Sequence, residues 1–251
     1  IAGNAGEGKD TLGTFLFNKF SNWTSVRCDA YAYTLKLIAH QTLGTPWHLL
    51  DGDKVVKEST LLKLANFDTD KTIRTGLQAI GEFFRSTFDR RIWANSVRLR
   101  AINAPERITI VTDCRHPDEE IHWMRDTCRE FASVYVVRIR NTRVEIKRGH
   151  PSEDLIADAR DDIFDILVDN NSSLDDLKQA ADQIARAIVL LEKTGKQRVS
   201  PRDGWIVKES DGSEIFEPLV TEEEACALTS NNSGRVKEPV SFSMIRGRRV
   251  K

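Results

Sequence analysis

Apolar residues recur at helical spacing soon after the chain begins. Leu12, Phe15, Leu16 and Phe20 share one face and predict an amphipathic helix. Only an apolar stub, Ile1-Ala2, and a glycine-rich loop stand before it, so the chain is expected to begin inside its first strand. Thr24–Cys28 is a short strand candidate. Ala30–Leu43 carries Leu35, Ile38 and Ala39 on one side and meets Gly44, a helix stop. Positions 45–70 are irregular, and Thr72–Ala104 reads as one long helix or two in succession. Arg107–Asp113 is the clearest buried strand. Pro117 suits a first helical position, and Asp118, Glu119 and Glu120 suit the positive end of that helix. Ser133–Arg140 is the next strand, followed by a basic loop and an acidic helical stretch around Ser152–Asp162. Asp165–Asp169 is a further strand, and Ser173-Leu-Asp-Asp176 opens a helix over Leu174–Glu192.

Strands alternating with helices predict an α/β fold with a parallel sheet. A break near Lys193–Pro201 divides a main domain, 1–196, from a small appendage, 197–251. In the appendage, Trp205–Ser210 and Ser213–Phe216 flank Asp211-Gly212, a hairpin signal. Thr221-Glu-Glu-Glu224 reads as a capping box, and the polar end carries Arg246, Arg248, Arg249 and Lys251. No internal repeat is found.

Composition narrows the function classes. Lys and Arg number 37 against 38 Asp and Glu, which argues against a polybasic protein that coats nucleic acid with its whole surface. Hydrophobic residues make up 40% of the chain, enough for a sizeable core, so wholesale disorder is excluded. The longest apolar runs, such as Val134–Val137 and Ala187–Leu191, are strand-sized, so neither a membrane helix nor a signal peptide is expected. Four widely spaced cysteines without a Cys-x-x-Cys pair read as reduced, mostly buried thiols of a cytoplasmic protein. The scattered histidines predict no protein-built metal site.

The chemistry concentrates at Gly3-x-x-x-x-Gly8-Lys9, the core of a phosphate-binding loop. Glycines let successive N–H groups point inward, the following helix adds its positive end, and Lys9 supplies charge for the β- and γ-phosphates. Lys9 is expected to be exposed in this loop. Asp10 stands where Ser or Thr usually holds Mg²⁺, with Thr11 next. A glycine-rich loop without a ligand is the plainer alternative. Asp113, at the carboxyl end of a buried strand, could orient Mg²⁺ or its water shell, or merely cap the next helix. Arg115 would point the same way and could bind phosphate through its fork. Arg138, Arg140, Arg143, Lys147 and Arg148 form the densest basic run, suited to closing over phosphates or else a solvated basic loop. The downstream acids, Glu153, Asp154, Asp158, Asp161 and Asp162, are expected to form a solvated helix face. Gly-x-Ser-x-Gly and His-Glu-x-x-His are both missing.

Over residues 1–193 the chain resembles the phage deoxynucleoside monophosphate kinase family, a branch of the P-loop kinases. Gly8-Lys9-Asp10-Thr11 resembles the family's Gly-Lys-Asp-Thr. Tyr31-Ala-Tyr-Thr-Leu-Lys36 takes the place of a Phe-Ala-Asp-Pro-Leu-Lys segment, with Tyr33 and Thr34 replacing Asp-Pro. Leu77-Gln78-Ala-Ile-Gly81-x-x-x-Arg85, then Asp89 and Trp93, is similar to a Leu-Gln-x-x-Gly-x-x-x-Arg stretch followed by Asp and Trp. Asp113-Cys-Arg115-His-Pro117-x-Glu119 resembles an Asp-x-Arg-x-x-x-Glu segment, and Asp165–Asn170 with Ser173-Leu resembles the closing strand and helix.

The resemblance implies a three-layer sandwich with a helical acceptor-binding region and a lid, here about 138–160. By matching positions it implies that Gly3, Gly6, Gly8, Lys9, Asp10, Thr11, Arg138 and Arg143 serve ATP, with Mg²⁺ at Thr11 and Asp113. Lys36, Gln78, Arg85, Asp89 and Trp93 would bind the acceptor, and Lys9, Asp113, Arg115 and Arg140 would act in catalysis. The expected activity is transfer of the γ-phosphoryl group of ATP to a deoxynucleoside monophosphate, in the host cytoplasm if phage-encoded, with a homodimer left open. Two alternatives stand beside it. Related phage kinases phosphorylate 5-hydroxymethyluracil within DNA, and the basic tail and region 71–107, with eight Lys or Arg against three acids, would suit DNA contact. A non-catalytic P-loop module would need fewer arginines.

Overall fold

A computed structural model describes residues 1–51, 57, 72–146, 151–194, 205–208, 221, 223–226 and 236–239. Helix α1 (Lys9–Ser21) is followed by β1 (Val26–Asp29), α2 (Ala32–Leu43) and the short α3 (Trp47–Leu50). The region expected as one helix or two is two, α4 (Ile73–Thr87) and α5 (Ile92–Ile102). Then come β2 (Ile108–Val111), a π-helical turn (Asp118–His122), α6 (Trp123–Cys128), β3 (Val137–Arg140) and α7 (Pro151–Ala157). A 3₁₀ turn (Asp161–Ile163), β4 (Ile166–Asp169), α8 (Leu174–Thr194), β5 (Trp205–Lys208) and β6 (Val236–Pro239) follow among the described residues. The chain is mixed α/β, with small parallel sheets, and among the described residues no helix is long and apolar enough to cross a membrane.

The described elements form two compact units, one of residues 1–28, 104–117 and 133–251, the other of 29–103 and 118–132. In the first unit, β1 lies beside β2, and β3 pairs in parallel with β4 from Val137–Ile166 to Arg140–Asp169. Ala2 bridges in parallel to Cys114, just past β2, and to Arg138 of β3. Its N–H donates to the Val137 carbonyl at 2.8 Å, and its own carbonyl accepts from Ile139 at 2.9 Å. The lateral order is therefore β1, β2, Ala2, β3, β4. Apolar runs such as Ile166-Leu-Val168 suit strands covered on both faces, as parallel strands usually are.

The expected face of α1 is the observed one: Leu12, Leu16 and Phe20 are buried against Ile110, Ile139, Val168 and, from α8, Leu177, Ala181 and Ile184. Each fully buried Leu or Ile contributes about 1.5–3 kcal/mol. Gly13 is required by closeness, because a Cβ there would lie 2.4 Å from Cγ2 of Thr112. Helix α8 opens as expected: Ser173 Oγ accepts from the Asp176 N–H at 3.1 Å, and Asp176 accepts from the Ser173 N–H at 3.0 Å. Thr221 and Glu224 form the same reciprocal pair at the helical turn 223–226.

Several boundaries differ from expectation. The ladder of β3 starts at Val137, after the Val136 N–H has been taken by an Asp165 carboxylate oxygen at 2.6 Å. The acidic stretch is not one helix: α7 ends at Ala157, and 161–163 form a separate 3₁₀ turn. All four cysteines are thiols, but only Cys114 and Cys128 are buried, while Cys28 and Cys226 are exposed. Strand β5 pairs antiparallel with β6. The Asp211-Gly212 hairpin, the 197 boundary, Lys147, Arg148 and the tail 242–251 lie outside the described residues.

In the second unit, Ala39, Leu50 and Ile73 form a small core, with Trp47 and Leu77 packed on it. The Thr72 hydroxyl caps α4 by accepting from the Thr75 N–H at 3.2 Å.

Candidate functional site

Ala2 leads from the sheet into the loop Gly3–Gly8, and helix α1 starts at Lys9. Gly6 and Gly8 have φ of 85° and 101°, a region that side chains disfavour. A Cβ on Gly8 would also lie 2.6 Å from the Asn170 side-chain nitrogen. That nitrogen donates to the Glu7 carbonyl at 3.0 Å, so the residue after β4 braces the loop from the side.

Lys9 departs from expectation: it is 6% exposed. Its ammonium folds back over the loop and donates to the Asn4 carbonyl at 2.5 Å. Burial lowers its pKa from 10.5 to about 8, and the nearby Arg115 charge pushes the same way, against Asp10, Glu153 and Glu7. A bound phosphate would favour the ammonium and raise that value again. Binding above pH 8 must then take up a proton, so affinity for ADP should fall as pH rises from 8 to 10, by up to about tenfold per unit. Calorimetry in buffers of different ionisation enthalpy reads this uptake directly; zero uptake at pH 9 would contradict the assignment.

Two acids that the sequence left unremarked or on the surface lie at this loop. The Glu7 carboxylate is buried, accepts from the Asn4 N–H at 2.5 Å and lies 3.5 Å from Nη1 of Arg138. Arg138 is 2% exposed within β3, with its guanidinium 5.9 Å from the Phe164 ring. A side chain enclosed in the sheet cannot swing as a mobile lid arginine. Glu153 is no part of a solvated face, being 3% exposed. It pairs with Arg115 and accepts from the Ala5 N–H at 3.4 Å. These reversals share a cause: each side chain meets an opposite charge or an unpaired N–H from a distant segment, which offsets its desolvation.

The remaining expected residues of this unit fall as follows. Asp10 is exposed and accepts from Thr112 Oγ1 at 2.8 Å, while Thr11 is exposed on α1. Asp113 is half-buried two residues past β2. Arg140, at the end of β3, pairs with Asp161. Arg143 is exposed in the loop beyond, its N–H donating to Asn141 Oδ1 at 2.9 Å.

The second unit holds the residues matched to acceptor binding. Lys36 lies 2.7 Å from Asp51 and holds that carboxyl below its usual range. Gln78 is half-buried on α4. Arg85 donates to the buried Glu120 at 3.1 Å, and the Glu120 carbonyl accepts from the Tyr31 hydroxyl at 3.0 Å. Asp89 is exposed and held by the fork of Arg91, which lowers its pKa to about 2. Trp93 is a packing residue, 4% exposed, with its indole N–H donating to the Gly81 carbonyl at 3.2 Å and its ring 5.4 Å from Phe84.

Among the described residues of this unit, Arg100 joins several segments at once. Arg100 grips Asp29 with Nε and Nη2 at 2.9 and 2.8 Å, and Nη1 reaches Thr34 at 2.6 Å and Ser96 at 2.7 Å. Thr34, one of the two replacements in the acceptor-like segment, is thus held by an arginine from α5. The Ser96–Arg100 spacing on one helix face is the single signal that could have pointed to it. No known protein family and no curated protein matches this chain.

Proposed function

We propose that the chain is a cytoplasmic ATP-dependent phosphotransferase of P-loop, three-layer architecture, moving the γ-phosphoryl group onto a deoxynucleoside monophosphate. One observation carries this reading: a loop with two left-handed glycines leaves a parallel sheet and delivers a lysine to the first position of a helix. The lateral order β1, β2, Ala2, β3, β4 adds support, because the loop leaves the sheet between strands of opposite crossover direction, where open α/β folds bind ligands.

Transfer of a phosphoryl group asks the protein mainly for position and charge. Lys9 supplies charge at the loop, and Arg115 and Arg140, both at the carboxyl ends of strands, supply planar forks. Thr11 and Asp113 offer only oxygen donors, which fit magnesium, and that ion would neutralise charge on the phosphates. Lys36, Gln78 and Arg85 are the acceptor-holding residues in this reading. Arg85→Lys keeps a charge beside buried Glu120 but loses the fork. Acceptor KM should then rise by on the order of tenfold, with ATP KM nearly unchanged. Equal weakening of both substrates in steady-state kinetics would contradict the split.

The deciding experiment is transfer from labelled ATP, run in parallel on dTMP, dGMP, 5-hydroxymethyl-dUMP and duplex DNA containing 5-hydroxymethyluracil. Label on a free monophosphate supports the proposal. Label on DNA alone would move the acceptor to the polymer, and ADP binding without transfer to any acceptor would leave a nucleotide-binding module.

A further inference from the structure

We infer that Glu153 is a tethered carboxylate that occupies the anion position of the phosphate loop and is displaced when a nucleotide's terminal phosphate arrives. The inference rests on the phosphate-site reading above and adds a regulation of that site. Glu153 lies on α7, far from the loop in sequence, yet its carboxylate takes the Ala5 N–H at 3.4 Å and the guanidinium of Arg115. A backbone donor of the loop and an arginine fork are the groups a phosphate would use. Lys9 also senses the Glu153 charge.

A carboxylate is a weaker version of the same ligand. It offers two oxygens and one negative charge, where a terminal phosphate offers three oxygens and about two charges. Burying Glu153 is tolerable because Arg115 compensates its charge. Once phosphate oxygens claim Arg115 and the Ala5 N–H, the Glu153 carboxylate would face an anion across the donors they share, and that repulsion would drive it out, carrying α7 with it. In the ligand-free state the contact satisfies the loop, and apparent affinity is reduced by the fraction of molecules in which Glu153 is seated.

The test uses the full chain with inorganic tripolyphosphate, which has phosphate charge but no base or sugar. By calorimetry, Glu153→Gln should bind it on the order of tenfold more tightly than the parent chain. Glu153→Asp, which keeps the charge, should show little of that gain. A second measurement needs no variant: tripolyphosphate should slow hydrogen exchange at 3–11 and speed it at 151–157. Unchanged or weaker binding by Glu153→Gln overturns the inference, as does slowed exchange at 151–157. If neither the parent chain nor Glu153→Gln binds tripolyphosphate, the phosphate-loop reading itself falls, and the inference with it.

Discussion

Lys9→Met should lower phosphoryl transfer by on the order of 10²- to 10³-fold, if losing this charge resembles losing one oxyanion-stabilising group. The fold should survive. Methionine keeps most of the buried lysine stem, and the lost ammonium is one that burial already disfavours, as its lowered pKa of about 8 indicates. The single bond given up is the one to the Asn4 carbonyl. Labelled transfer and thermal melting on the same preparation separate the two effects. A folded variant with undiminished turnover would remove Lys9 from the reaction.

The largest stability effect is expected at Arg138. Arg138→Met should destabilise the chain by about 3–5 kcal/mol, because it leaves the Glu7 carboxylate buried without its countercharge. Glu7 and Arg138 side chains are 3% and 2% exposed, so water cannot take over. The pairing is itself imperfect, since Nε and Nη1 of Arg138 find no hydrogen-bond partner. Replacing both members, Glu7→Gln with Arg138→Met, should therefore restore stability to within about 1–2 kcal/mol of the parent, because an apolar or neutral pair avoids two desolvation costs. Glutamine still offers an acceptor to the Asn4 N–H. Denaturant unfolding of the three variants makes the cycle, and a double variant as unstable as Arg138→Met would show that packing around the guanidinium, not charge, sets the loss.

Periodicity and punctuation make most elements legible in the sequence. The Leu12–Leu16–Phe20 face, the stop at Gly44 and the Ser173 cap are local signals, decided within a few residues. The glycine-rich turn before α1 was legible for the same reason: Gly6 and Gly8 are dictated by its own backbone angles. What stayed hidden depends on contacts across the chain. Arg138 stands in a run of arginines and lysines that reads as a surface, and only the fold reveals Glu7 beneath it. Glu153 stands among five acids, of which it alone is fully buried. Nothing within the acidic stretch marks which member meets Arg115. The π-helical turn after Pro117 carried no periodic sign either, since a single widened turn shifts the register without changing residue types.

The way the loop is braced also orders events during synthesis. Its flanking residue Ala2 is secured by Val137 and Ile139, and Glu7 is braced by Asn170, 163 residues later. Contacts so distant form only after long segments have been brought together, which slows folding relative to local structure. At roughly 5–20 residues per second, a ribosome would need on the order of ten seconds or more to deliver Asn170 after Glu7. During that interval the glycine-rich segment is present without its scaffold. A nascent chain would therefore complete this loop late, with the emergence of β4, and under the proposed function nucleotide capture would report that the sheet has closed.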